Sequence, residues 1–154
     1  MQVIDFHPDL APAFKDLNLA WITRYFAVEP KDMVALGDPQ GQIIDKGGQV
    51  IFVVDEAGQP AGCVALLPLA DGGFEVGKMA ASDAHKGKGV GHLLIQACID
   101  RAKAAGAPRL YLETNDSLAP ALAVYRRAGF VEITDSARTV SPYARANVWM
   151  ELVF

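Results

Sequence analysis

The apolar positions of the 154-residue chain change period several times, and each change marks an element. Val3 to Phe6 alternates apolar and polar residues, as a first strand does. Asp9 can then cap a helix in which Leu10, Phe14, Leu17, Trp21, Tyr25 and Val28 recur at helical spacing. Pro12 falls in its first turn, where a missing amide hydrogen is tolerated. Pro30 interrupts the pattern, and Lys31 to Leu36 reads as a short second helix. Asp38-Pro39-Gln40-Gly41 and Gly47-Gly48 are turn signals around a loop.

Val50 to Val54 reads as a buried strand, Asp55 to Pro60 as its hairpin turn, and Ala61 to Leu69 as the returning strand. After a turn at Asp71-Gly72-Gly73, Phe74 to Ala81 predicts a third strand of the meander. The period then becomes helical: Val90, Leu93, Leu94, Ala97, Cys98 and Ala102 line one face, with Gly106 as C-terminal cap. Leu110, Leu112 and Thr114 alternate with Arg109, Tyr111 and Glu113 in another strand. Ser117 can cap a helix through Ala128 that stops at Gly129. Phe130 to Thr134 and Asn147 to Val153 read as two last strands joined by a loop through Ser141-Pro142. The order predicts a mixed α/β fold, with antiparallel hairpins towards both ends and a crossover in the middle.

Composition narrows the class. Length and the absence of repeats or linkers predict one domain over residues 1–154. The longest apolar stretches, such as Val64 to Ala70, are too short to span a bilayer, and no basic-then-apolar leader opens the chain. The net charge of −4 argues against wrapping nucleic acid, whose affinity comes mostly from phosphate neutralisation. Cys63 and Cys98 each sit in an apolar segment, which suits buried thiols in a reduced, cytoplasmic protein. His7, His85 and His92 are too scattered for a metal site, so no metal is expected.

One segment departs from the acidic average. Lys86-Gly87-Lys88-Gly89-Val90-Gly91-His92 joins a strand to an apolar-faced helix. Glycines there expose consecutive amide hydrogens, and the helix N-terminus adds partial positive charge, so the turn suits a phosphate group. It is not a dinucleotide fingerprint, because the third glycine position holds His92 or Leu94, and no Gly-Lys-Ser/Thr ending makes it a P-loop. An ordinary strand-to-helix turn is the plainer reading of the same glycines.

These residues resemble the GCN5-related N-acetyltransferase family, whose Arg/Gln-x-x-Gly-x-Gly/Ala turn lies between its fourth strand and third helix. Both motif glycines match in Lys86-Gly87-Lys88-Gly89-Val90-Gly91, with Lys86 in the leading place. Lys78-Met79-Ala80-Ala81-Ser82 resembles the end of the family's fourth strand, and Ala121 to Phe130 resembles its "ALxxYxxxGF" helix ending. The resemblance implies a central, mostly antiparallel sheet with splayed fourth and fifth strands and about four helices. It also implies acetyl-coenzyme A as cosubstrate. Backbone groups of Met79 and Ala81 would pair with the pantetheine arm, and the Lys86 to Gly91 amides, opening towards His92, would hold the pyrophosphate. Asn115 matches a position that often contacts the arm, although an asparagine at a strand end is also a common turn residue.

Acetyl transfer to an amine requires the neutral amine, and a lysine-like amine is neutral in only ~10⁻³ of molecules at pH 7. A proton acceptor is therefore needed. Glu75 is the candidate base, because in a regular strand it shares a face with Gly77, Met79 and Ala81; a solvated glutamate is the alternative. Tyr125 matches the family's helix tyrosine near the coenzyme sulfur and is the candidate acid, against simple packing with Leu118 and Leu122. For the acceptor, Arg24 and Tyr25 on the first long helix and Arg145 in the last loop are candidates; Trp21 reads as core. Cys63 has no histidine beside it in sequence and reads as packing. The expected activity is direct acetylation of a primary amine on a small molecule or amino acid. Acetylation of a protein lysine or N-terminus, and a non-catalytic acyl-coenzyme A sensor, are the alternatives. Monomer and homodimer are both open.

Overall fold

The computed structural model describes residues 1–134 and 141–154. Seven strands form one sheet in the order β1-β2-β3-β4-β5-β7-β6. They are β1 (Gln2–Asp5), β2 (Gln49–Val54), β3 (Pro60–Pro68), β4 (Phe74–Ala81), β5 (Arg109–Thr114), β6 (Val131–Glu132) and β7 (Val148–Val153). Every neighbouring pair is antiparallel except β4 and β5, which the α3 crossover makes parallel. The helices are α1 (Ala11–Tyr25), α2 (Pro30–Gly37), α3 (Val90–Ala104) and α4 (Ala119–Ala128).

Two cores lie on the two faces of the sheet. On one, Leu94, Ile95, Cys98 and Ala102 of α3 and Leu122 and Tyr125 of α4 pack on Val64, Leu66, Leu110 and Leu112. On the other, Phe14 and Ile22 of α1 and Leu36 of α2 pack on Phe52, Cys63, Ala65 and Ala80. Each fully buried Leu, Ile or Phe is worth roughly 1.5–3 kcal/mol of transfer free energy, so both helical layers are held by burial.

Several local expectations change. Asp9 does not cap α1; a 3-10 turn at Pro8–Leu10 precedes it, and the His7 imidazole accepts from the Asp9 amide at 3.2 Å. The buried face of α1 is Phe14, Asn18 and Ile22, one position off the pattern read from Leu17 and Trp21. Val28 lies beyond the helix and is exposed. Glu29, not read as a cap, closes a capping box with Asp32 at the start of α2. The loop before β2 contains a π-helical turn, Gln40–Ile44, that buries Ile43. Ser117 does not cap α4: Leu118 precedes the helix without a side-chain bond, and Gly129 ends it at φ +105°.

Candidate active site

The site begins where β4 and β5 part. They pair only at Phe74–Leu110 and Glu75–Tyr111. From Val76 onward β4 has no strand on that side, so outward-pointing backbone groups stay open to a ligand. A cavity of about 1020 Å³ occupies the opening, lined by α1, β4, the turn before α3, the end of β5, α4 and the loop at Tyr143 to Ala146. Glu75, Tyr125, Met79, Ala81, Lys86, Gly87, Gly89, Val90, Gly91, His92, Asn115, Arg24, Tyr25 and Arg145 all line it; Lys88 does not.

A bulge sets the faces of β4. Ala65 pairs with Gly77 and Cys63 with Ala80, so Val64 alone opposes Lys78 and Met79. Lys78 takes a left-handed φ of +52° to make this possible. The regular alternation expected for Glu75, Gly77, Met79 and Ala81 therefore fails. Glu75, Gly77 and Ala80 share the α1 face with their partners Leu67, Ala65 and Cys63. Met79 packs against the α3 side instead, and Ala81, opposite Gly62, points the same way.

Glu75 is half-buried beside a second carboxylate, Glu113, two residues beyond its partner Tyr111 on the same face of the sheet. Burial pushes the Glu75 carboxyl up and the Glu113 charge adds to it; Lys78 pulls only partly the other way, and the value reaches about 7. Glu113 accepts from the Tyr111 hydroxyl at 2.6 Å and from the Ser141 hydroxyl. Tyr125 enters from the opposite face, buried against Phe130 with ring centroids 6.0 Å apart. Burial raises its phenol above the ordinary value, with a smaller push from Cys98.

The glycine-rich turn lies between β4 and α3. Gly87 and Gly89 adopt φ of +78° and +75°, and Gly89 caps α3. The Lys86 and Lys88 amides are not available: they donate inward to the Asp83 and His85 carbonyls at 3.2 Å each. The donors left to an anion among the described residues are the amides of Gly87, Gly89, Val90, Gly91 and His92. His85 Nε2, 2.8 Å from Asp55 Oδ2, ties the turn to the β2–β3 hairpin.

At the α1 end of the cavity, Arg24 is paired with Asp83 at 2.7 Å on the rim, and Tyr25 is half-exposed beside it. Asn115 is spent on the chain itself, donating to the Arg145 carbonyl at 2.7 Å and accepting from the Ser117 amide. Arg145 grips Asp32 through two nitrogens at 3.0 and 2.6 Å and reaches Glu29 at 3.2 Å. Lys78 Nζ lies 3.1 Å from Asp32 Oδ1 and donates to the Tyr143 hydroxyl at 2.7 Å. Burial alone would raise the Asp32 carboxyl, but bonds from Arg145, the Glu29 amide and Lys78 outweigh it and bring it to about 2. Sequence reading missed Asp32, Lys78 as a side chain, Glu113 and Tyr143; only Glu-x-x-Asp ahead of α2 carried a local signal, as a capping box. Cys63 is fully buried, and burial pushes its thiol up to about 12, which favours the neutral thiol over the thiolate a covalent route needs.

This geometry has known counterparts. A model of the acetyltransferase (GNAT) family matches residues 14–130. The chain belongs to that family. The splay, the glycine turn and the tyrosine helix all lie within the matched residues. A solved GNAT acetyltransferase from Staphylococcus aureus MU50 superposes with a TM-score of 0.87 at 18% identity, covering 97% of this chain and 96% of that one. The phosphinothricin acetyltransferase of Sinorhizobium meliloti, solved with acetyl-coenzyme A, gives 0.79 at 15% identity, covering 99% and 87%. In sequence the chain is 31% identical over 104 residues to the streptothricin acetyltransferase of Streptomyces lavendulae, 67% of this chain and 55% of that protein. It spans little more than half the length of the curated relatives it matches. No helix among the described residues is long and apolar enough to cross a membrane.

Proposed function

We propose that the protein is an acetyl-coenzyme A-dependent N-acetyltransferase that acetylates the primary amine of a small molecule or amino acid by direct attack in a ternary complex. The observation that carries this is Glu75, a carboxylate tuned to about 7 at the point where β4 leaves β5. A base with that pKa is half ionised at neutral pH and still basic enough to take a proton from an amine under attack. The acetyl-coenzyme A complex of the S. meliloti phosphinothricin acetyltransferase, and the streptothricin acetyltransferase relative, support the cosubstrate and a small-molecule acceptor.

In this reading the free amides of Gly87 and Gly89 to His92 hold the pyrophosphate, and the pantetheine arm runs along the open edge of β4 at Met79 and Ala81. Asn115 lines the arm's path, and Arg24, Tyr25 and Arg145 wall the acceptor end. The amine nitrogen attacks the thioester carbonyl as Glu75 removes a proton from it; the carbonyl reforms, and the C–S bond breaks. Tyr125, reaching the gap from the far face, hydrogen-bonds the departing sulfur. Its raised pKa keeps it protonated at any working pH, but full transfer to a thiolate whose acid has pKa ~8.5 runs uphill, so it acts as a hydrogen-bond donor. Thiol release from acetyl-coenzyme A across amino acids, polyamines, aminoglycosides and short peptides tests the proposal. Saturable release with one acceptor class supports it; none from a folded, coenzyme-binding protein across the panel counts against it.

A further inference from the structure

The donors at the acceptor end are not exhausted by their own network. Lys78 Nζ carries three hydrogens, and Asp32 Oδ1 and Tyr143 Oη take two of them. Tyr143 Oη accepts in that bond, and its own hydrogen has no acceptor among the described residues. Arg145 commits three of its five N–H hydrogens, two from Nη1 to Glu29 and Asp32 and one from Nη2 to Asp32. Lys78, Tyr143 and Arg145 all line the cavity, whereas Asp32 and Glu29 do not. The anions thus hold their cations from behind, and the cavity meets the donors. Glu75 and Glu113 line the same cavity.

The acceptor end is therefore bipolar. A polycation without a carboxylate would leave the Lys78, Tyr143 and Arg145 hydrogens desolvated and unmatched. A plain anion would meet Glu75 and Glu113. Building on the acetyl-transfer reading above, we propose that the acceptor is a zwitterion, an amine with a carboxylate a few bonds away. Its carboxylate is held by Lys78 Nζ, Tyr143 Oη and the remaining Arg145 N–H groups while its ammonium faces Glu75 and Glu113. The two cations and two anions of the network cancel, so directed hydrogen bonds rather than net charge select the carboxylate. A site built to bond a charged group rejects the analogue lacking it by roughly tenfold or more per bond lost.

Matched amine pairs test this: phenylalanine against phenethylamine, leucine against isoamylamine, lysine against cadaverine. Initial rates of thiol release give kcat/KM for each, and calorimetry gives binding of each to the coenzyme A-loaded protein. The expected result is a preference of about tenfold or more for the acid-bearing twin in at least one pair. Tyr143→Phe keeps the ring and removes one donor, and it should cut that ratio about tenfold; Lys78→Met should cut it further. Should Lys78→Met fail to fold, Tyr143→Phe decides alone. Equal or better use of the decarboxylated twin in every pair, or a ratio unchanged in Tyr143→Phe, overturns the assignment. If no pair is acetylated, binding decides: a preference for acid-bearing twins that Tyr143→Phe removes supports the site, and equal binding overturns it. In that case the missing turnover counts against acetyl transfer and not against the zwitterion site.

Discussion

The Lys78 ammonium lies 3.1 Å from the Asp32 carboxylate, with side-chain exposures of 8% and 0%. A lysine in the middle of β4 thereby reaches helix α2, and the strand bulge at Lys78 is tied to the wall of the cavity.

Removing the shared anion should be severe. Asp32→Ala leaves Lys78 and Arg145 without their buried partner, and breaking a buried pair costs about 3–5 kcal/mol. Urea or guanidinium unfolding of the variant against the parent measures it. The same carboxyl makes the fold acid-sensitive. Its folded pKa is depressed from 3.8 to about 2, so its contribution is present above pH 3.8 and is lost as pH falls towards 2. That contribution is about 2 kcal/mol, and the parent's stability should fall over this window more steeply than that of Asp32→Asn.

Glu75 should show the opposite sign. Its folded pKa is raised from 4.5 to about 7, so ionising it costs stability progressively over that range and fully above it. Glu75→Gln is expected to be more stable than the parent above pH 7, by up to about 3 kcal/mol, and less active. Equal thermal stability of the two proteins at pH 8 would show that the site does not strain the carboxylate.

In the proposed mechanism Tyr125→Phe removes the sulfur-side donor, and it leaves the ring packed on Phe130. We expect kcat to fall about tenfold and coenzyme affinity to change less than twofold, measured by steady-state kinetics and calorimetry. Because burial raises the phenol, Tyr125 should add no descending limb to the rate profile below pH 10.

Both thiols are buried, and burial pushes each to about 12. A thiol reagent should label neither cysteine of the native protein over the time in which it labels both in denaturant. Cys63→Ala should keep acetyl transfer within a few-fold. Loss of activity there would reopen a covalent route.

Much of this was legible in the sequence. Phe74 to Ala81 and the end of α4 at Gly129 carried clear period and cap signals, and the glycine-rich turn read between β4 and α3 stands there, with Gly87 and Gly89 at left-handed φ. Glu75 and Tyr125 both reach the cavity. The bulge was not legible: φ +52° falls on a lysine, where neither glycine nor asparagine announces it, so strict alternation misassigned the faces of Met79 and Ala81. The Asp32–Lys78–Arg145 network was not legible either. Its members are 46 and 113 residues apart, and only the closed fold brings them together. The inward-turned Lys86 and Lys88 amides depend on the 3-10 turn at Asp83–His85, which no apolar pattern marks.

The most direct test of the account is the pH dependence of kcat for Glu75→Gln and the parent, with one accepted amine and saturating acetyl-coenzyme A. The account predicts a parent rate that rises through a pKa near 7, and a variant slower by roughly 10²–10⁴ that lacks this limb yet still binds coenzyme. A variant with the parent's rate and the same limb near 7 would contradict it, and the base would have to be sought elsewhere in the cavity.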